Sequence, residues 1–350
     1  MRYRNIGTMI LVTCFLILSG CGNTVTSSTS TVTKPISKNY FIFDTVVSIR
    51  VYDERISDTH FKEIEQLLEH INETMNRFEE ESEVSSINQF AGESAVQVSE
   101  ETFRIIQTAK EYAERSGGKF DPTIGPLVDL WAIGNGGSKV PPQAAIEEAK
   151  QLVDYEKLLL DESQLAVQLN DIDMTLDLGA IAKGYAADVV TNYLQKQGFS
   201  SAIIDLGGNI VAMGNKPDGS AWSIGIQSPE EKRGNYLGTL EARDQTIVTS
   251  GVYERYFIDQ DQLYHHVLDP FTGYPANNEL VSTTIITDQS MHADAMSTSV
   301  FLLGLEKGMA FVEATEHTEA IFVTGEHKVY VTSGLRDRFK LTSEAYEFAE

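Results

Sequence analysis

Asp294 and Thr298 are the oxygen-bearing side chains whose spacing most directly indicates a metal site. They lie four residues apart in a predicted helix, MHADAMST, so both side chains share one helical face. A carboxylate, a hydroxyl and a nearby backbone carbonyl form the all-oxygen ligand set that Mg²⁺ prefers. Zinc fits less well, because the seven histidines show no paired ligand spacing. Alternatively, Asp294 only caps the turn before it.

A second candidate site lies where a predicted strand, Met174–Leu178, passes into a predicted helix from Ala180. Apolar residues alternate in the first segment and follow helical spacing in the second, which Gly198 closes. The first turn of a helix has unpaired N–H groups and a positive dipole end, which together favour phosphate. Asp177 and Lys183 flank that turn. An ordinary strand-to-helix turn with a solvated lysine would show the same pattern.

His265 and His266 follow a predicted strand and precede a turn at Asp269-Pro270. Neighbouring residues on a strand point to opposite faces, so at most one of the two faces a site. A neutral histidine can accept the proton of an attacking hydroxyl. The alternative is a pair of surface histidines with no catalytic role.

Composition indicates a soluble globular protein, since 42% of the 350 residues are hydrophobic and 22% are charged. We predict a single large domain with two lobes. The formal net charge of −24 argues against sequence-independent binding of nucleic acid, which depends on clustered lysine and arginine.

The first residues have the features of an export signal. Arg2 and Arg4 precede an apolar run that ends in Leu18-Ser19-Gly20-Cys21, which resembles a bacterial lipoprotein signal. We therefore expect a signal peptide at 1–20, a lipidated Cys21, a Ser/Thr-rich tether over 21–38 and a folded domain over 39–350. The protein would be lipid-anchored on the extracytoplasmic face of the cell membrane.

The elements that position these residues can be predicted in part. We expect a strand over 41–53, a helix from Asp58 with an apolar stripe that reaches Met75 and Phe78, and a helix over 100–115. Phe78 is either a core residue or an aromatic side chain on which a planar ligand stacks. Glycines and prolines predict an irregular buried loop over 119–131. Two helices, separated at Gly304, are expected over 290–315.

Six sequence blocks, in order along the chain, resemble those of the ApbE flavin transferases: FDPTIGPLVDLW, DLGAIAKGYAAD, DLGGN, TSGVYERYF, HHVLDPFTGYP and ADAMSTSVFLLG. The resemblance implies an α+β, T-fold-related architecture with mixed, mainly antiparallel sheets flanked by helices. It also implies an Mg²⁺-dependent transfer of FMN from FAD to a threonine of an acceptor protein, with release of AMP.

The resemblance also assigns roles to residues. It implies Mg²⁺ ligands at Asp294, Thr298 and the Ala180 carbonyl, and it gives His266 as the base that activates the acceptor hydroxyl. Asp177 is the alternative proton acceptor. The implied FAD contacts are Asp177, Lys183, Phe120, Asp121 and Leu268, with Phe43 and Phe78 where the family commonly has a methionine and a tyrosine near the flavin.

Three functions remain open from the sequence. They are flavin transfer, hydrolysis of FAD to FMN and AMP, and flavin binding without catalysis. The first implies a threonine-bearing extracytoplasmic acceptor, which would be an electron-transfer flavoprotein.

Overall fold

The computed structural model describes residues 34–232 and 234–349, and its largest element is a nine-stranded sheet. The strands in chain order are β1 (Ile36–Ile42), β2 (Thr45–Val51), β3 (Val96–Gln97), β4 (Leu158–Asp161), β5 (Ala166–Leu169), β6 (Ser201–Leu206), β7 (Asn209–Gly214), β8 (Trp222–Gln227), β9 (Tyr236–Ala242), β10 (Gln245–Gly251), β11 (Tyr256–Asp259), β12 (Gln262–His265), β13 (Leu280–Thr287), β14 (Glu319–Thr324), β15 (Lys328–Val331), β16 (Phe339–Leu341) and β17 (Glu347–Phe348). The helices are α1 (Asp58–Met75), α2 (Glu83–Gln89), α3 (Glu100–Arg115), α4 (Gly125–Trp131), α5 (Gln143–Lys150), α6 (Ala182–Lys196) and α7 (Ser290–Glu313).

The large sheet has the order β1-β2-β6-β7-β10-β13-β14-β15-β17, and only β15 and β17 pair in parallel. Three smaller sheets are β16-β9-β8, β3-β5-β4 and the hairpin β11-β12. Helices and mainly antiparallel sheets are therefore combined in one compact unit, which confirms the predicted fold class.

Both faces of the large sheet are covered. On β10, Val248 packs into the core beneath the helices, whereas its neighbour Ile247 packs toward the β16-β9-β8 sheet. Ile285 and Ile286 on β13 divide in the same way, as expected where side chains alternate along a strand. The apolar helix α7 is long enough to span a membrane, but it contacts β10 and β13 and is mostly buried within the protein.

The predicted single strand over 41–53 is wrong, because the chain forms the hairpin β1-β2 there. Its turn is Phe43-Asp44, and both residues have positive φ angles, of 54° and 55°. Such a turn usually contains asparagine or glycine, and neither residue is present at Phe43-Asp44 to indicate a turn. β1 begins at Ile36, and residues 36–38 therefore belong to a strand and not to the tether. Cys21 and the predicted signal peptide lie outside the described residues.

The predicted strand at Met174–Leu178 is also wrong, because this extended segment joins no sheet. Thr175 forms one isolated bridge with Ile124. The N–H of Leu176 donates to Asn88 Oδ1 at 2.7 Å, and the N–H of Asp177 donates to the Pro122 carbonyl at 2.8 Å. Side-chain and loop acceptors thus replace a neighbouring strand.

The loop predicted over 119–131 contains the short helix α4, which begins at Gly125. Pro126 lies in its first turn, where the missing N–H needs no partner. Helix α3 has the predicted bounds, and α7 breaks at Gly304, which has a φ of 77°. Helix α1 ends at Met75, so Phe78 is not on its buried stripe.

Candidate active site

The starts of α6 and α7 meet at Gly184. A Cβ atom at this position would lie 2.2 Å from the Ser290 carbonyl oxygen, so only glycine lets the two helices approach this closely. The N–H of Gly184 donates to Asp294 Oδ2 at 2.9 Å. Asp294 therefore caps α6 from another helix. The sequence suggested a different cap, of the turn just before Asp294, as the alternative to a metal site.

Asp188 on α6 in turn caps the start of α7. Its carboxylate accepts the N–H groups of Ser290 and Met291, at 2.8 and 2.9 Å. Burial raises the pKa of Asp188, while these two hydrogen bonds oppose the rise. Each helix thus supplies a carboxylate to the positive end of the other, which fixes the crossing.

The capping bond leaves the carbonyl of Ala180 free. In a regular helix the Gly184 N–H would bond to the residue four positions earlier, which is Ala180. Among residues 34–232 and 234–349, no donor bonds that carbonyl or Asp294 Oδ1. Thr298 lies one turn beyond Asp294, with its Oγ1 3.5 Å from the Ser250 hydroxyl.

These oxygens fit a hard divalent cation. Asp294 is 5% exposed and supplies the full negative charge, while Ala180 and Thr298 supply neutral oxygens. Within the described part of the chain, no group of three or more His, Cys, Asp or Glu side chains could hold a metal. A set with one carboxylate suits Mg²⁺, which keeps several waters and substrate phosphate oxygens.

Asp177 and Lys183 flank this turn as expected. Asp177 Oδ1 accepts the Gly179 N–H at 2.8 Å, and Oδ2 lies 3.0 Å from Nε of Arg77. Both oxygens are therefore engaged, which favours a bracing role, and catalysis by Asp177 stays a prediction. Nζ of Lys183 donates to the Gly179 carbonyl at 3.3 Å, so its charge lies at the first turn of α6.

His266 has the geometry of a general base. It follows β12, and its Nδ1 lies 3.3 Å from the Arg255 carbonyl oxygen. A carbonyl only accepts, so Nδ1 carries the proton and Nε2 keeps its lone pair. Desolvation by the surrounding protein, with smaller contributions from His265, Arg255 and Lys183, lowers the pKa of His266 to about 4. The imidazole is thus neutral at pH 7.

His265 has a structural role in the same strand end. Its Nε2 lies 2.9 Å from the Ala276 carbonyl oxygen, and its Nδ1 accepts the Val267 N–H at 3.3 Å. The ring is buried edge-on against Phe301, and burial lowers the pKa of His265. With both nitrogens engaged, His265 cannot act as the base.

Three residues with predicted FAD contacts have buried side chains. Phe120 packs against Tyr112, and Leu268 packs in a cluster around Trp131. Asp121 accepts hydrogen bonds from Thr123 and from the Tyr155 N–H, and burial raises its pKa to about 6. FAD contacts by these residues stay predictions.

The two predicted flavin-stacking residues lie on irregular segments. Phe43 occupies the β1-β2 turn and packs partly against the main core. Phe78 is 65% exposed, and its ring centroid lies 4.7 Å from the guanidinium carbon of Arg77. An exposed aromatic ring held by a cation is available to a planar ligand, so the ligand alternative fits Phe78 better than a core role.

Sequence reasoning missed Arg77, Asp188 and Gly184. A glycine in the first turn of a predicted helix is costly, and it signals close approach of a neighbour. That signal was present at Gly184. No local pattern marks Arg77 or Asp188, because their partners are distant in sequence.

Known proteins resemble this chain over most of its length. The sequence model of the ApbE family matches residues 43–322. A FAD:protein FMN transferase of Klebsiella pneumoniae (strain 342) is 40% identical over 299 residues, which cover 85% of this chain and 90% of that protein. One of Treponema pallidum (strain Nichols) is 32% identical over 355 residues, covering 97% and 96%. The solved flavin transferase ApbE from Vibrio cholerae superposes with a TM-score of 0.78 at 30% identity, covering 87% of this chain and 99% of that one. The chain therefore belongs to the ApbE family.

Proposed function

We propose that this ApbE-family enzyme transfers FMN from FAD to a threonine hydroxyl of an acceptor protein and releases AMP. Its similarity to proteins named FAD:protein FMN transferase supports the use of FAD. The observation that carries the transfer chemistry is the state of His266. Its Nδ1 proton is held by the Arg255 carbonyl and its lowered pKa keeps Nε2 unprotonated.

In the proposed step, Nε2 of His266 accepts the proton of the threonine hydroxyl. The threonine oxygen forms a bond to the phosphorus of the FMN half, and the bond from that phosphorus to the bridging oxygen breaks. AMP leaves with this oxygen and its electron pair. Lys183 and the first turn of α6 place positive charge where the pyrophosphate would lie.

We infer that Asp294, Thr298 and the Ala180 carbonyl hold Mg²⁺. The ion would neutralise charge on the pyrophosphate oxygens and on the leaving phosphate. Asp294 carries the only full charge of this donor set, so binding depends mainly on it. The Gly184 N–H holds Oδ2 of Asp294 and leaves Oδ1 for the ion.

We also propose that Cys21 anchors the enzyme to the outer face of the cell membrane. The motif Leu18-Ser19-Gly20-Cys21 after an apolar run supports this location. The acceptor would then be an extracytoplasmic protein, such as an electron-transfer flavoprotein.

Incubation with FAD, Mg²⁺ and a threonine-bearing acceptor, followed by mass spectrometry, tests the activity. Covalent FMN on the acceptor threonine is the expected product. Free FMN and AMP without modified acceptor would instead indicate a hydrolase. Unchanged FAD would indicate a flavin-binding protein.

A further inference from the structure

Arg77 is a buried arginine at the centre of the segments that form the site. Its side chain is only 6% exposed, although it follows the end of α1 in an irregular turn. Nε lies 3.0 Å from Asp177 Oδ2, and Nη2 bonds to Asp129 on α4. The guanidinium carbon lies 4.7 Å from the centroid of the Phe78 ring. One side chain thus joins α4, the extended segment before α6 and an exposed aromatic ring.

Gly125 makes room for this guanidinium. A Cβ there would lie 2.9 Å from Arg77 Nη1 and 2.6 Å from the Thr175 carbonyl oxygen. The start of α4 therefore packs directly on both the arginine and the segment that leads to Asp177. Burial of a charge at such a junction is costly unless its carboxylate partners are in place.

The contacts of Arg77 continue to the metal donor set. Nε of Arg77 forms an ion pair with Oδ2 of Asp177 at 3.0 Å but lacks the geometry of a hydrogen bond, and Oδ1 of the same carboxylate accepts the Gly179 N–H at 2.8 Å. Gly179 precedes Ala180, whose carbonyl oxygen accepts no hydrogen bond from the described residues. If the Asp177 carboxylate rotated, the peptide unit between Leu178 and Gly179 would lose this anchor, immediately before the residue whose carbonyl is the proposed donor.

We propose that Arg77 is a positioning residue for the Mg²⁺ site and acts through Asp177 on the turn that presents the Ala180 carbonyl. This inference rests on the proposed function, because it concerns the metal site described there. Partners behind the direct ligands commonly change metal affinity 10- to 100-fold when they are removed. Arginine suits the role because its planar fork reaches Asp177 and Asp129 at once, whereas lysine has a single ammonium.

The affinity for Mg²⁺ tests this role independently of turnover. It is measured by calorimetric titration of Mg²⁺ into the enzyme in the presence of FAD and in the absence of acceptor. Arg77→Met should weaken Mg²⁺ binding about 10-fold or more. Arg77→Lys should recover part of that loss. Asp177→Asn should weaken binding in the same direction, and the double variant should be little worse than either single one, because both changes break one pathway.

Asp129→Asn is the matched control. It removes the other carboxylate partner of Arg77 and leaves Asp177 intact, so Mg²⁺ affinity should stay near wild type. Thermal unfolding in EDTA identifies variants that fail to fold. If Arg77→Met does not fold, the Mg²⁺ affinities of Arg77→Lys and Asp177→Asn test the proposal.

The outcomes separate this proposal from the proposed function. Wild-type Mg²⁺ affinity in folded Arg77→Met and Asp177→Asn, with binding lost in Asp294→Ala, would overturn the role of Arg77 and leave the metal site in place. Absence of Mg²⁺ binding by the wild-type enzyme with FAD would overturn both.

Discussion

The carboxylate of Asp294 accepts the backbone N–H of Gly184 at 2.9 Å, and this bond links the start of α6 to α7. The same bond turns that N–H away from the Ala180 carbonyl. Asp294 therefore caps a helix and leaves the Ala180 carbonyl oxygen available to the proposed Mg²⁺ with one interaction. The capping role, which the sequence presents as the alternative to a metal role, is thus compatible with the metal role that we propose for this side chain.

Gly184→Ala should destabilise the protein, because the added Cβ would lie 2.2 Å from the Ser290 carbonyl oxygen. Overpacking of this kind typically costs about 1–3 kcal/mol. Urea unfolding measures the loss. Gly325→Ala is the control, since the nearest atom to its Cβ is 3.7 Å away and the substitution should be nearly neutral. Equal unfolding midpoints for both variants would contradict the close helix contact.

Asp294→Ala should abolish Mg²⁺-dependent transfer, because the donor set loses its only full charge. Thr298→Ala should be milder and should mainly raise the Mg²⁺ concentration needed for half-maximal rate, since a hydroxyl is the weaker ligand. Circular dichroism would show that both variants fold. Wild-type activity of Asp294→Ala at limiting Mg²⁺ would remove the metal from this helix.

Asp121 should make the protein less stable as pH rises. Burial raises its pKa from 3.8 to about 6, so the folded state holds the proton more tightly than the unfolded state does between these values. Unfolding free energy therefore falls as pH rises through this window, by about 3 kcal/mol. Asp121→Asn should lack this part of the pH dependence. Parallel stability curves for the variant and the wild type from pH 4 to 7 would contradict the shift.

Cys21→Ala should release the protein from membranes while the folded domain keeps its transfer activity. Lipid attached to this cysteine is the proposed anchor, whereas every residue of the proposed site lies at position 43 or later in the chain. Fractionation before and after an alkaline wash measures the change. A variant that remains in the washed membrane fraction would show that the lipoprotein signal was misread.

Capping residues and glycines were enough to predict where some helices begin and end. Helix α3 was predicted because Ser99 caps it and Ser116-Gly117-Gly118 ends it. The break at Gly304 was predicted for the same kind of reason. The β1-β2 turn was not predicted, because phenylalanine rarely adopts a positive φ. The conformation of Phe43, with a φ of 54°, therefore depends on the surrounding fold.

Tertiary contacts account for the other errors. The alternation at Met174–Leu178 correctly marks buried positions, but periodicity cannot show that Asn88 and a loop supply the hydrogen bonds. The order of the site residues along the chain likewise gave no sign of Arg77. The spacing of Asp294 and Thr298 was predictable because both lie on one helix.

The pH dependence of transfer should reflect the lowered pKa of His266. An imidazole with a pKa near 4 stays neutral at pH 5–7, so the rate should be nearly flat there and should fall as pH drops through about 4. Initial rates at saturating FAD and Mg²⁺ measure the profile. A decline centred near pH 6.5 would indicate an ordinary histidine in solvent.

The most direct test of the central claim is the rate of covalent FMN transfer by His266→Ala, measured together with its FAD affinity. A general base contributes a factor of about 10² to 10⁴ to rate and little to cofactor binding. We predict that the variant binds FAD nearly as wild type and modifies the acceptor slower by that factor, with AMP release slowed equally. His265→Ala serves as the control: it should lose stability but keep the rate per folded molecule. Wild-type transfer by folded His266→Ala would contradict base catalysis by this residue.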